Sequence, residues 1–211
     1  MKLMTRSCFA LLFAATAAFA QYKAEPVGAP PADAAPGILA TLNKAGTKIV
    51  AGNGSAFVEI WLRSTAPTGP ASSEPSVTLP NMPSGALLGV LLFPGKGSDR
   101  RGQVIQPGVY TLRYGNYPIN GDHQGAAPQR DFMVLAPASV DKSADTVADF
   151  NAMIDMSRKA SSTNHPAVLS FWKADSDAKP GFEKQGESDW VLTTKLGDVL
   201  VSIILVGKTG D

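Results

Sequence analysis

Between positions 114 and 131 the side chains singled out as able to bind, charge or ligate are Tyr114, Tyr117, Asp122, His123, Gln124, Arg130 and Asp131. Aromatic faces beside fixed hydrogen-bonding groups are the means by which proteins hold sugars, peptides and other small polar molecules. Trp61 offers a further aromatic face upstream. His123 and Asp122 add a second possibility: together with His165 and Asp131, if the fold brings those loops together, they could give a mixed nitrogen and oxygen set suited to zinc, copper or manganese. A third account needs no ligand. The same polar groups can satisfy the backbone of a long loop, with Arg130 paired to a carboxylate to hold it closed.

Reaction chemistry has little to stand on. The chain contains no G-x-S-x-G, H-E-x-x-H, C-x-x-C or dinucleotide-binding glycine pattern. A Ser/His/Asp set can be assembled on paper from Asp122, His123 and a serine, but no spacing supports it. Gly95-Lys96-Gly97-Ser98 fails as a phosphate loop. Gly89 precedes Gly95 by one position too many, and Gly97 occupies the place of the magnesium-binding Ser or Thr. No cofactor is expected for a binding protein. A divalent metal ion belongs to the histidine alternative.

The elements that must position these residues read as strands. Val109 to Tyr114 alternates, with Tyr110, Leu112 and Tyr114 on one face. Ala56 to Arg63 alternates Val58, Ile60 and Leu62 against Phe57, Glu59, Trp61 and Arg63, a half-buried pattern that leaves Glu59 and Arg63 either on a solvated face or at a pocket rim. Ala86 to Phe93, Phe132 to Ala136 and Val199 to Val206 are apolar on both faces and read as buried strands. Pro166 to Trp172 and Asp189 to Lys195 alternate. Ile38 to Leu42 and Thr47 to Val50 read as a hairpin about Lys44-Ala45-Gly46. Thr65 to Ser84 is a proline-rich loop with a short strand at Ser76 to Leu79, and Asp175 to Glu187 reads as a loop. One helix is expected after Ser143 or Asp145 as N-cap, with Val147, Phe150, Met153 and Ile154 at helical spacing and Arg158-Lys159 complementing its C-terminal dipole.

Composition sets the frame. Lys2 and Arg6, the apolar run from Cys8 to Phe19 and Ala18-Phe19-Ala20 predict a signal peptide cleaved after Ala20, and hence export to the periplasm or beyond the cell. The apolar run is too short to span a membrane. Cleavage removes two basic residues and no acidic one, taking the formal charge from +1 to −1, and it removes the one cysteine. A near-neutral chain without a basic stripe argues against nucleic acid as partner, and stability must come from the core with no disulfide. Twenty Gly and sixteen Pro suit short strands joined by turns.

Pro107-Gly108-Val109-Tyr110-Thr111-Leu112 resembles the P-G-x-Y-x-L strand entry of secreted bacterial β-sandwich proteins of unknown function. The resemblance implies a sandwich and a buried Tyr110 whose hydroxyl bonds to backbone, as in a tyrosine corner. It implies no catalytic residues. The expectation is therefore a signal peptide at 1–20, a Pro/Ala-rich linker at 21–36 and one domain at 37–211. That domain reads as a mainly β, antiparallel β-sandwich of about eight or nine strands with one packed α-helix. Its partner is a small molecule, a carbohydrate or a protein, bound through the 114–131 segment.

Overall fold

The computed structural model describes residues 22–117, 119, 129–147 and 149–208. Along the chain run β1 (Lys23–Val27), α1 (Pro36–Leu39), β2 (Gly46–Val50), β3 (Ala56–Leu62), β4 (Leu87–Phe93), β5 (Gly97–Ser98), β6 (Val104–Ile105), β7 (Gly108–Asn116), β8 (Asp131–Pro137), α2 (Phe150–Ser161), β9 (Val168–Lys173), β10 (Gly181–Gln185), β11 (Asp189–Leu196) and β12 (Val199–Val206). The protein is mainly β and antiparallel. Ten of these strands form one sheet in the order β1-β2-β3-β4-β7-β8-β9-β12-β11-β10, and β5 and β6 make a separate two-stranded ribbon.

The expected sandwich is corrected by this order. Neighbouring strands pair without a break across all ten, from β1 to β10, and among the described residues no strand leaves to found a second packed layer, so the sheet curls on itself into a nearly closed barrel. Alternation along a strand reports that one face is buried. It does not distinguish a face covered by a second sheet from one covered by the far wall of its own curl. Eight strands enclose a space that wall side chains just fill; ten enclose more, and loops supply the difference. Leu79 and Met82 fold in from the upper end, where β7 stops and β8 starts, and Ile105 of β6 folds in from the lower end. They meet Phe93, Tyr110, Tyr114 and Phe171 from the walls.

The two edge strands close the ring by side chains. Tyr22 sets its ring 5.6 Å from Trp190 of β11 and 5.6 Å from Phe57 of β3. Phe182 of β10 stacks on Trp190 at 5.5 Å, Phe57 meets Phe93 at 5.9 Å, and Phe93 meets Tyr110 at 6.4 Å. An aromatic belt thus spans the seam where β1 and β10 share no register. Of the segment 21–36, expected as a linker, the described residues from Tyr22 on belong to the fold: Lys23–Val27 pairs along its whole length with β2, and Ala34 is buried. Proline-rich composition did not prevent an edge strand, because a strand paired on one side only tolerates a proline such as Pro26. The expected hairpin at 38–50 is also replaced. Pro36–Leu39 forms a helical turn, and β2 pairs with β1 and β3.

Two faces of the barrel exterior are covered. Trp61, Leu87 and Val90 pack under Ala34, Ile38 and Leu42, and Trp61 Nε1 donates to Gly28 O at 2.7 Å. Helix α2 covers β7 to β9, burying Met153 against Phe132, Val134 and Val168. Its N-cap is Asp149, whose carboxylate accepts from Asn151 N at 2.8 Å. Ser143 and Asp145, the expected caps, give their carbonyl oxygens to Arg113 instead, at 2.7 Å each.

Candidate functional site at the barrel mouth

The upper mouth is built where β7 and β8 end in register, Asn116 opposite Asp131. The strand period places Tyr114, Asn116 and Asp131 on the inner face and Tyr117 on the outer. Asp131 is fully buried and gathers the mouth around its carboxylate. Tyr114 Oη donates to Oδ1 at 2.5 Å, with Asn116 Nδ2 3.5 Å away, while Oδ2 accepts from Thr78 N at 2.9 Å and Thr78 Oγ1 at 3.0 Å. Burial, and then the Asp131 carboxylate, raise the Tyr114 phenol well above its ordinary value.

Thr78 belongs to the long loop between β3 and β4, which lies over the mouth as a lid. The expected short strand at Ser76 to Leu79 does not form; the lid instead folds on itself through Gly69 N to Asn81 O at 2.8 Å and Ser72 N to Pro80 O at 2.7 Å. Thr78 Oγ1 also accepts from Lys173 N at 2.8 Å, tying the lid to β9. Arg130 clamps it from the other side. Its Nη1 donates to Pro75 O at 2.5 Å, Nη2 pairs with Glu74 at 3.1 Å, and Nε donates to Tyr117 O at 2.9 Å.

Tyr117 lies under α2 with its ring 4.5 Å from Phe132. Burial pushes its phenol up to about 12, a rise which Arg101 and Arg100 oppose and Asp99 assists. Of the sequence-derived site residues, then, Tyr114 and Asp131 meet inside the mouth, Arg130 straps the lid, and Tyr117 faces the helix. Asp122, His123 and Gln124 lie outside the described residues. His165 is exposed near the lower end, where its carbonyl accepts from Ser161 Oγ at 2.6 Å. Among the described residues no group of three His, Cys, Asp or Glu side chains is placed to hold a metal ion.

Two clefts flank the lid, and Met82 borders both. The first, about 640 Å³, runs between the lid, the mouth and the start of α2, and is lined by Ser72, Glu74, Asn116, Ile119, Arg130 and Phe150 among others. Ile119 is 68% exposed and Phe150 37%. This arrangement offers apolar surface beside a carboxylate, a guanidinium and an amide, the equipment of a binding site.

Sequence reasoning missed the largest buried polar group. Arg113, on the outer face of β7, is fully buried with all five donors used: both oxygens of Asp141 at 2.6 and 2.7 Å, and the carbonyls of Gly85, Ser143 and Asp145. Thr111 Oγ1 adds a bond to Asp141 at 2.5 Å. The available signal was an arginine inside a strand that otherwise reads as apolar. Comparison with protein-family models, with curated proteins and with solved structures found no match.

Proposed function

We propose that this is an exported, non-enzymatic binding protein that takes its ligand or partner in the cleft between the lid and α2. The observation that carries the reading is a coincidence of exposures. Of four large hydrophobic side chains left exposed among the described residues, Ile119 and Phe150 line this one cleft, where Arg130 and Glu74 supply opposite charges. Exposed apolar groups gathered beside polar ones mark interaction sites more often than scattered ones do. The ligand has an apolar face and hydrogen-bonding groups. A small molecule, a carbohydrate or a peptide segment of a partner all meet that description.

The test is a thermal-shift screen of carbohydrates, short peptides and small organic acids and amines against the chain and against Ile119→Ser/Phe150→Ser. Both positions are exposed, so the variant should melt within a few degrees of the parent. At least one compound should stabilise the parent, and that stabilisation should vanish in the variant. Hits that survive the double substitution would place binding elsewhere and sink the reading.

A further inference from the structure

We propose that the second cleft, on the opposite side of the lid, is a preformed site for a small organic ammonium ion, a protonated amine on an apolar body. The cleft measures about 450 Å³, and Leu79, Met82, Val199 and Leu200 give it an apolar lining. That volume falls in the range of small-molecule sites.

Its walls are tied together rather than resting in contact. On one side Gly197, at φ +57, approaches the start of the lid so closely that a Cβ there would sit 2.5 Å from Ala66 N. On the other, Thr78 Oγ1 accepts from Lys173 N at 2.8 Å. Beneath, Ala174 N donates to Leu200 O at 3.0 Å, joining the end of β9 to the start of β12. A cleft fixed at these points loses little entropy when filled.

Charge selects the occupant. Asp175 and Asp198 line the cleft, and neither carboxylate makes an ion pair within the described structure. Lys173 is the one cation in the lining. Its four-carbon stem lets the ammonium swing out into water, whereas the two short aspartate side chains stay near the backbone that carries them. The balance at the rim is one negative charge, beside an apolar lining that rewards burial of a hydrocarbon body. The site is independent of the Ile119 and Phe150 cleft, so either assignment can fail without the other.

The experiment is calorimetric titration of the full chain with 4-phenylbutylamine, and with 4-phenylbutyrate as the same body bearing the opposite charge. The amine should bind saturably and about tenfold or more tighter than the acid, a preference that weakens with added salt. Asp175→Asn/Asp198→Asn should remove about tenfold of the amine affinity. Both aspartates are exposed, and an unchanged melting temperature would verify the fold. Ile119→Ser/Phe150→Ser should bind the amine as the parent does. Equal binding of amine and acid, no saturable amine binding, or unchanged affinity in the asparagine variant would each overturn the proposal; loss of amine binding in the Ile119/Phe150 variant would move it to the other cleft.

Discussion

Tyr114 and Asp131 meet inside the barrel mouth, phenol to carboxylate at 2.5 Å, and the same carboxylate holds the lid through both Thr78 donors. One buried side chain therefore fastens strand to strand and lid to barrel. Asp131→Ala leaves the Thr78 amide without an acceptor and the phenol with only the distant Leu79 carbonyl at 3.5 Å, a loss of about 3 kcal/mol in urea unfolding. Tyr114→Phe removes one donor from a carboxylate that keeps the others and should cost about 1 kcal/mol. If both variants cost the same, Asp131 is not the hub.

Arg113 and Asp141 form a buried pair whose remaining donors end on loop carbonyls. Asp141→Ala strands a guanidinium away from water and should destabilise by about 3 to 5 kcal/mol, while Arg113→Met/Asp141→Leu should cost less than the single change because no charge is left alone. Chemical denaturation of the single and double variants measures this directly.

The seam predicts a local effect. Tyr22→Ala removes the ring that joins Phe57 to Trp190, and should cost about 2 to 3 kcal/mol. Amide exchange should accelerate in β1 and β10 well before it does in β4 and β7, since the central strands keep both neighbours.

Alkali should loosen the fold through its phenols. Tyr117 titrates near 10.0 when unfolded and about 12 in the fold. Above pH 10 the unfolded chain gives up this proton first, so stability is full below pH 10 and falls as the pH rises to 12. The loss assigned to Tyr117 is about 2 kcal/mol, with Tyr114, raised in the same direction, adding to it. Stability measured from pH 9 to 12 should fall less steeply for Tyr117→Phe than for the parent.

Strand identity was legible wherever a run was long and apolar or cleanly alternating. The sequence pattern places β4, β7, β8, β11 and β12 within a residue or two and puts Tyr110, Leu112 and Tyr114 on one buried face. Tyr110 is buried and its hydroxyl donates to Gln106 O at 2.6 Å, the arrangement that the P-G-x-Y-x-L resemblance implied for this residue. Trp61, read as a further aromatic face for a ligand, is instead buried under the N-terminal segment. Less was legible where a few residues act over long distances. β1 hides in proline-rich sequence, and β10 in polar sequence read as a loop, because each is an edge strand with one partner and little to bury. Tyr114 and Asp131 belong to the 114–131 segment picked out from composition, yet they serve the scaffold. Residue type shows that a polar group needs partners. Only the fold shows whether those partners are its own.

The aromatic seam also fixes the order of assembly. Tyr22 and Trp190 stand near opposite ends of the chain, so the ring cannot shut until β11 has been made, although β1 to β4 can pair early as successive hairpins. Contacts spanning nearly the whole sequence slow folding, because loop closure must precede any return from the contact. A chain passing vectorially out of a ribosome or through a membrane pore would keep the inner faces of its first strands uncovered until emergence is almost complete. That interval, rather than the finished barrel, is where the chain exposes the most apolar strand surface to aggregation.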